Sequence, residues 1–127
     1  AGNGSSYILE EETKKMRLNK RMLKNAGVDA NHVACARNSG RSMERLISDG
    51  ALIAIDKSKT QIKDERIYAF NHGGLLRVKY LFRMPNGGLR LVSENKEFPD
   101  EILSADEVAN DIEIIGWVFL WSTLSKW

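Results

Sequence analysis

The sequence predicts a mainly β domain that carries a short N-terminal helix. Three observations lead there. Residues 32–37, 51–56 and 66–70 are short apolar runs closed by turn-forming residues. The stretch "LLRVKYLFR" (75–83) alternates in polarity at the two-residue period of a strand. A helical period shows ahead of Gly27, in "EEETKKMRLNKRMLKNAG".

Taken in order, "AGNGSS" at the start is small and flexible in character, and residues 1–12 read as a linker region ahead of one domain over 13–127. Thr13 can cap the helix that follows, with acidic residues upstream and basic ones in its later turns, as the helix dipole favours. Met16, Leu23 and Ala26 recur near helical spacing beside Leu18 and Met22, and Gly27 supplies the stop. The six basic residues between Lys14 and Lys24 read as a solvated face, because no aromatic side chain is interleaved with them. "HVACAR", "ALIAID" and "RIYAF" are strands, with His32 opening the first and His72 in the turn "FNHGG" after the third. Residues 75–93 read as a hairpin around the glycine-rich "MPNGG". The last strand, "IEIIGWVFLW" (112–121), is apolar on both faces, so it lies in the core or under a partner chain.

The bulk numbers restrict function more than they suggest it. With 127 residues, 43% of them hydrophobic and 28% charged, the chain has the size and balance of one globular domain. A net charge of +2 is too small to argue for direct nucleic-acid binding. A single cysteine, Cys35, excludes an internal disulfide and a cysteine-rich metal site, and a reducing cytoplasm is the expected compartment. No metal or cofactor is expected. Nothing approaches the roughly 20 continuous apolar residues of a membrane span, and the start does not have the pattern of a signal peptide.

Chemistry is suggested by "RNSGRSMERLISDG" (37–50), where Ser42 sits in a glycine turn ahead of an apolar run. A serine hydroxyl is a weak nucleophile until a base takes its proton. Neither His32 nor His72 belongs to a recognisable triad pattern, and Glu44 breaks the G-x-S-x-G elbow. A lysine can act as the base only when neutral, which requires burial to pull its pKa down from about 10.4. Lys79, inside "LLRVKYLF", is the residue so placed. Strand alternation puts Leu75, Arg77, Lys79 and Leu81 on one face, so Arg77 would depress the amine further. The same pattern also describes the wet face of an amphipathic strand, and both readings stand.

Together "GRSM" and "RVKYL" resemble the C-terminal domain of LexA-like and phage CI-type repressors, the self-cleaving S24 peptidase group. The resemblance extends through "SMERLISDGALIAID", the lysine 37 residues after the serine, the hairpin "NGGLRLVSENKEFPDEIL" and the closing strand "IIGWVFLW". It covers about Gly27 to Trp121. Arg41 and Arg45 stand where the family often has an acidic residue and a proline, and Asp49-Gly50-Ala51 replaces its D-G-D turn.

The resemblance implies a LexA/signal-peptidase-like β fold and a serine endopeptidase that cuts its own chain once. Ser42 would be the nucleophile and Lys79 the base, with backbone N–H groups at the Ser42 turn holding the oxyanion. The family cuts at Ala-Gly or Cys-Gly just upstream of this domain, so Ala1–Gly2 would be the scissile bond. It also implies a homodimer, stimulation of cleavage by the RecA–single-stranded-DNA filament, and operator DNA bound only through an N-terminal domain not contained in these residues. The apolar face of residues 112–121 is the expected dimer contact. A repressor dimerisation domain that does not cleave is the alternative. A membrane-bound signal-peptidase-like enzyme is disfavoured by the missing apolar segment. A single-strand-binding β-barrel is disfavoured because Trp117, Phe119 and Trp121 have no cations beside them in sequence.

Overall fold

The structure is a computed structural model and describes residues 18–123. One antiparallel sheet holds seven strands: β1 (Val33–Arg37), β2 (Leu52–Asp56), β3 (Arg66–His72), β4 (Leu75–Arg83), β5 (Leu89–Val92), β6 (Glu101–Leu103) and β7 (Ile112–Trp121). Their order across the sheet is β1-β2-β7-β3-β4-β5-β6. The final strand therefore lies between β2 and β3, which is why its sequence is apolar on both faces. The mainly β expectation holds.

Alternation along the central strands feeds two apolar clusters, one on each face. Ile67 and Ala69 of β3 enter the first with Val78 of β4, whereas Tyr68 and Phe70 enter the second with Leu81. The long strand β7 carries two bulges. Ala69 pairs with Gly116 but Phe70 with Ile114, and Ala54 pairs with Leu120 but Ile55 with Val118, so Ile115 and Phe119 are extra residues. A bulge shifts the side-chain phase, and this lets Ile115 and Val118, three apart, share the first cluster. Between the bulges, Gly116 passes so close to β2 that a Cβ there would lie 2.2 Å from the Asp56 carbonyl oxygen.

The helix differs from its expected start. Helix α1 runs Lys20–Ala26 with Asn19 as its cap, the side-chain oxygen accepting from the Met22 N–H at 2.8 Å. Thr13 lies outside the described residues, and Leu18 precedes the helix rather than lying within it. Asparagine is as strong a cap as threonine or stronger, and it sits one residue ahead of the first turn. Gly27 ends the helix in the left-handed conformation, φ 72°. Lys20, Arg21 and Lys24 are exposed and Leu23 is buried, the solvated-face arrangement.

Both histidines are displaced by a residue or two from their expected places. His32 ends a 3-10 turn (Ala30–His32) ahead of β1, and His72 is the last residue of β3, the turn being Gly73-Gly74. Two elements were not anticipated, β6 and a second helix, α2 (Ala105–Asp111). Helix α2 starts with a capping box: the Ser104 hydroxyl accepts from the Glu107 N–H at 3.2 Å, and Glu107 accepts from the Ser104 N–H at 2.9 Å. The hairpin expected over 75–93 is present as β4 and β5, joined through the turn Pro85–Gly87.

Candidate functional site

Ser42 lies in the loop between β1 and β2, which is fastened at both ends. The Asn38 N–H donates to the Ala51 carbonyl at 2.8 Å, and the Gly50 N–H returns to the Asn38 carbonyl at 2.7 Å. Inside the loop, the Gly40 N–H donates to Asp49 Oδ1 at 2.8 Å and buried Asn38 donates through Nδ2 to the Ser48 carbonyl at 3.0 Å. Met43 and Ile47 are fully buried and anchor the turn in the first apolar cluster. Ser42 is left half-buried on the surface of a fixed turn.

Lys79 arrives from the other side. It lies mid-strand in β4 opposite Tyr68 and is 4% exposed, so this residue is not on a wet strand face. Ser42 and Lys79 line one cleft of about 380 Å³, together with Asn38, Gly40, Phe98 and Glu101. The Lys79 ammonium donates to Ser93 Oγ at 2.7 Å, and Nζ stands 5.6 Å from the centre of the Phe98 ring. Its hydrogen bond in this structure thus goes to Ser93 and not to Ser42. Burial pushes the Lys79 pKa below the ordinary lysine value, Arg77 pushes the same way, and Glu101 opposes them.

Arg77 is half-buried and held by a two-pronged pair to Glu101. Its NH1 also lies 3.0 Å from His72 Nδ1. A guanidinium can only donate, so that bond requires an unprotonated Nδ1. Glu101 is held below the usual carboxylate range, first by the Arg77 hydrogen bond, with burial acting against it.

Two contributors escaped the sequence reading. Ser93 has a faint signal, since Leu89, Leu91 and Ser93 share a phase and a polar residue there points inward. Asn95 has none: its N–H donates to the Ser42 carbonyl at 2.9 Å and its Nδ2 to the Arg41 carbonyl at 3.1 Å. Trp117 is also less bare of cations than its sequence neighbours suggested, because Lys59 Nζ lies 5.7 Å from its ring centre. That amine is engaged by Asp56 Oδ2 at 2.5 Å and the Gly27 carbonyl at 3.0 Å. Ala1 and Gly2 lie outside the described residues. Among the described residues no cluster of His, Cys, Asp or Glu could hold a metal ion, and no helix is long and apolar enough to cross a membrane.

Chemically, the cleft places a fixed serine turn beside a buried amine of lowered pKa, the components of base-assisted nucleophilic attack. The family model for Peptidase S24-like proteins matches residues 1–119. The HTH-type transcriptional regulator PrtR of Pseudomonas aeruginosa is 45% identical over 126 residues, covering 98% of this chain and 49% of that protein. The Repressor protein CI of Enterobacteria phage phi80 is 39% identical over 125 residues, covering 97% of this chain and 51% of its own. An uncharacterized HTH-type transcriptional regulator of Haemophilus influenzae is 33% identical over 97 residues, 76% of this chain and 40% of that one. The chain thus spans about half the length of the curated relatives it matches.

Proposed function

Because the chain belongs to the Peptidase S24-like family, we propose that it is the regulatory domain of a transcriptional repressor and cuts its own polypeptide with a Ser42–Lys79 dyad. The observation that carries this is the burial of Lys79 in a cleft that Ser42 also lines. Neutral Lys79 takes the Ser42 proton, and Ser42 Oγ attacks a peptide carbonyl laid in the cleft. The carbonyl oxygen becomes an oxyanion held by backbone N–H groups of the turn. The resulting ammonium returns its proton to the departing amine, and water then releases the acyl group from Ser42. Ala1–Gly2 is the bond proposed to be cut, since small residues fit an extended segment entering a narrow cleft.

Because the relatives are named an HTH-type transcriptional regulator and a repressor protein, the rest of the protein would read operator DNA, and this domain would pair two copies of it, raising affinity through linkage. Residues 112–121 supply the pairing face, and the RecA–single-stranded-DNA filament is the proposed stimulus. A cytoplasmic setting agrees with the single, buried cysteine of the sequence, Cys35.

A second reading, a pairing domain with an idle dyad, draws on one observation: the Lys79 hydrogen bond goes to Ser93 rather than Ser42. The experiment is incubation at alkaline pH of the polypeptide that carries the native residues ahead of Ala1, with products weighed by mass spectrometry. Self-cleavage that disappears in Ser42→Ala and in Lys79→Ala is expected. A chain that stays whole under every condition, RecA filament included, leaves the idle-dyad reading.

A further inference from the structure

We propose that the three residues Ser93–Asn95 are the positioning element of this site, Ser93 aiming the amine and Asn95 holding the serine turn. The inference rests on the Ser42–Lys79 reading and adds to it a device that sets how the two groups face each other. The nucleophile and the base come from separate parts of the chain, the β1–β2 loop and β4. The segment leaving β5 touches both. Ser93 Oγ accepts from Lys79 Nζ at 2.7 Å. Two residues on, Asn95 donates from its backbone N–H to the Ser42 carbonyl at 2.9 Å and from Nδ2 to the Arg41 carbonyl at 3.1 Å.

The segment is itself braced. The Glu97 N–H donates to Asn95 Oδ1 and the Phe98 N–H to the Asn95 carbonyl, each at 3.0 Å. Ser93 is 2% exposed, so water does not compete freely for its oxygen. A lysine amine is a rotor at the end of four methylenes. Committing one N–H to a fixed acceptor stops rotation about the Cε–Nζ bond and confines the lone pair of the neutral amine to the two remaining tetrahedral directions. In that role Ser93 never touches the reacting atoms, and Asn95 acts through the backbone of the turn.

The charged groups that act on Lys79 are elsewhere, Arg77 on its own strand and Glu101 on β6; His72, at the end of β3, meets Arg77 NH1. Phe98 faces the amine with an aromatic ring. Ser93 is neutral and acts through its hydrogen bond alone. A hydroxyl that accepts from an ammonium favours the protonated form. Removing it therefore lowers the pH at which the amine becomes a base, while the loss of aim slows the reaction.

The test is the rate of self-cleavage against pH in the polypeptide with its native residues ahead of Ala1. Ser93→Ala is expected to lower the plateau roughly ten- to a hundredfold, the scale of a misplaced reacting group, and to move the acid limb to lower pH. Ser93→Thr, which keeps the hydroxyl, restores most of the rate. Ser93→Cys, which keeps the volume with a weak acceptor, falls between them and serves if the alanine variant does not fold. Asn95→Ala lowers the plateau with the acid limb in place. Ser93 variants with native rate and profile overturn the proposal. The same holds if Ser93→Ala slows cleavage with no movement of the acid limb. If Ser42→Ala or Lys79→Ala still cleaves, the dyad itself falls and the positioning role with it.

Discussion

Arg77 and Glu101 meet at the wall of the cleft with N–O distances of 3.1 and 2.5 Å, and each acts on the Lys79 amine with opposite sign. Arg77 makes the protonated amine less favourable and Glu101 makes it more so. Cleavage through a neutral lysine rises with pH as that lysine loses its proton. Arg77→Met is therefore expected to move the acid limb of the rate profile to higher pH, and Glu101→Gln to lower pH. Opposite displacements in the two variants are the signature. Displacement in one direction for both would mean the pair acts on folding of the cleft instead.

A second titration bears on stability. Asp56 is fully buried at the end of β2. Burial pushes its carboxyl up, but hydrogen bonds from Lys59 Nζ, Ser58 Oγ and the Ser58 N–H outweigh that, so its pKa lies below the ordinary aspartate value. A carboxyl lowered by folding adds stability that is complete above its unfolded value, about 3.9, and is lost as pH falls through the folded one. The urea midpoint is thus expected to hold from pH 7 to about 5 and to drop below about 4. Asp56→Asn costs about 1–3 kcal/mol at pH 7 and flattens the acid branch. An acid branch as steep as the native one would assign the loss to other carboxylates.

The fold and the dyad candidates were legible to different depths. Lys79 could be singled out because strand alternation is a local property and six apolar neighbours surround it, but its phase with Arg77 fitted a wet strand face equally well. The Ser42 turn could be found because glycines and an Asp-Gly pair mark turns within a few residues. Ser93 and Glu101 reach the cleft only through the register of β4 on β5 and of β5 on β6, which pairs residues 6 to 14 apart and is not written in either strand alone. The central place of β7 was half legible: its two-faced apolar pattern demanded cover, but chain order does not say from which strands. Helix α2 was legible and overlooked, since Ser104 and Glu107 stand at the capping-box spacing. The start of α1 is ambiguous in the sequence because two residues can cap it, Thr13 ahead of the basic stretch and Asn19 within it.

Gly116 is where the sheet is least tolerant. A Cβ there would sit 2.2 Å from the Asp56 carbonyl oxygen and 2.9 Å from Ile55 Cγ2. The first is backbone and cannot swing aside, so β7 must part from β2 between its bulges. Gly116→Ala is expected to cost at least about 1–3 kcal/mol, the range for forced overpacking, read as a lowered urea midpoint. Native stability in that variant would mean the two strands separate easily here, contrary to the pairing of Asp56 with the neighbouring Trp117.

Whether Lys79 serves the fold or the chemistry can be decided by removing it together with Ser93. Holding an ammonium in an apolar setting is unfavourable even with one good hydrogen bond. Replacing both partners of a buried polar pair by apolar groups of similar shape is often neutral or stabilising, whereas removing one leaves the other unsatisfied. The double variant Lys79→Met with Ser93→Ala is therefore expected to match or exceed the native urea midpoint, and Lys79→Met alone to fall below both, with no cleavage in either. Such a result is what a site retained for reactivity at the expense of stability produces. A double variant clearly less stable than the native protein would instead make the Lys79–Ser93 bond a structural tie, and Lys79 would then need no catalytic role to account for its place in the strand.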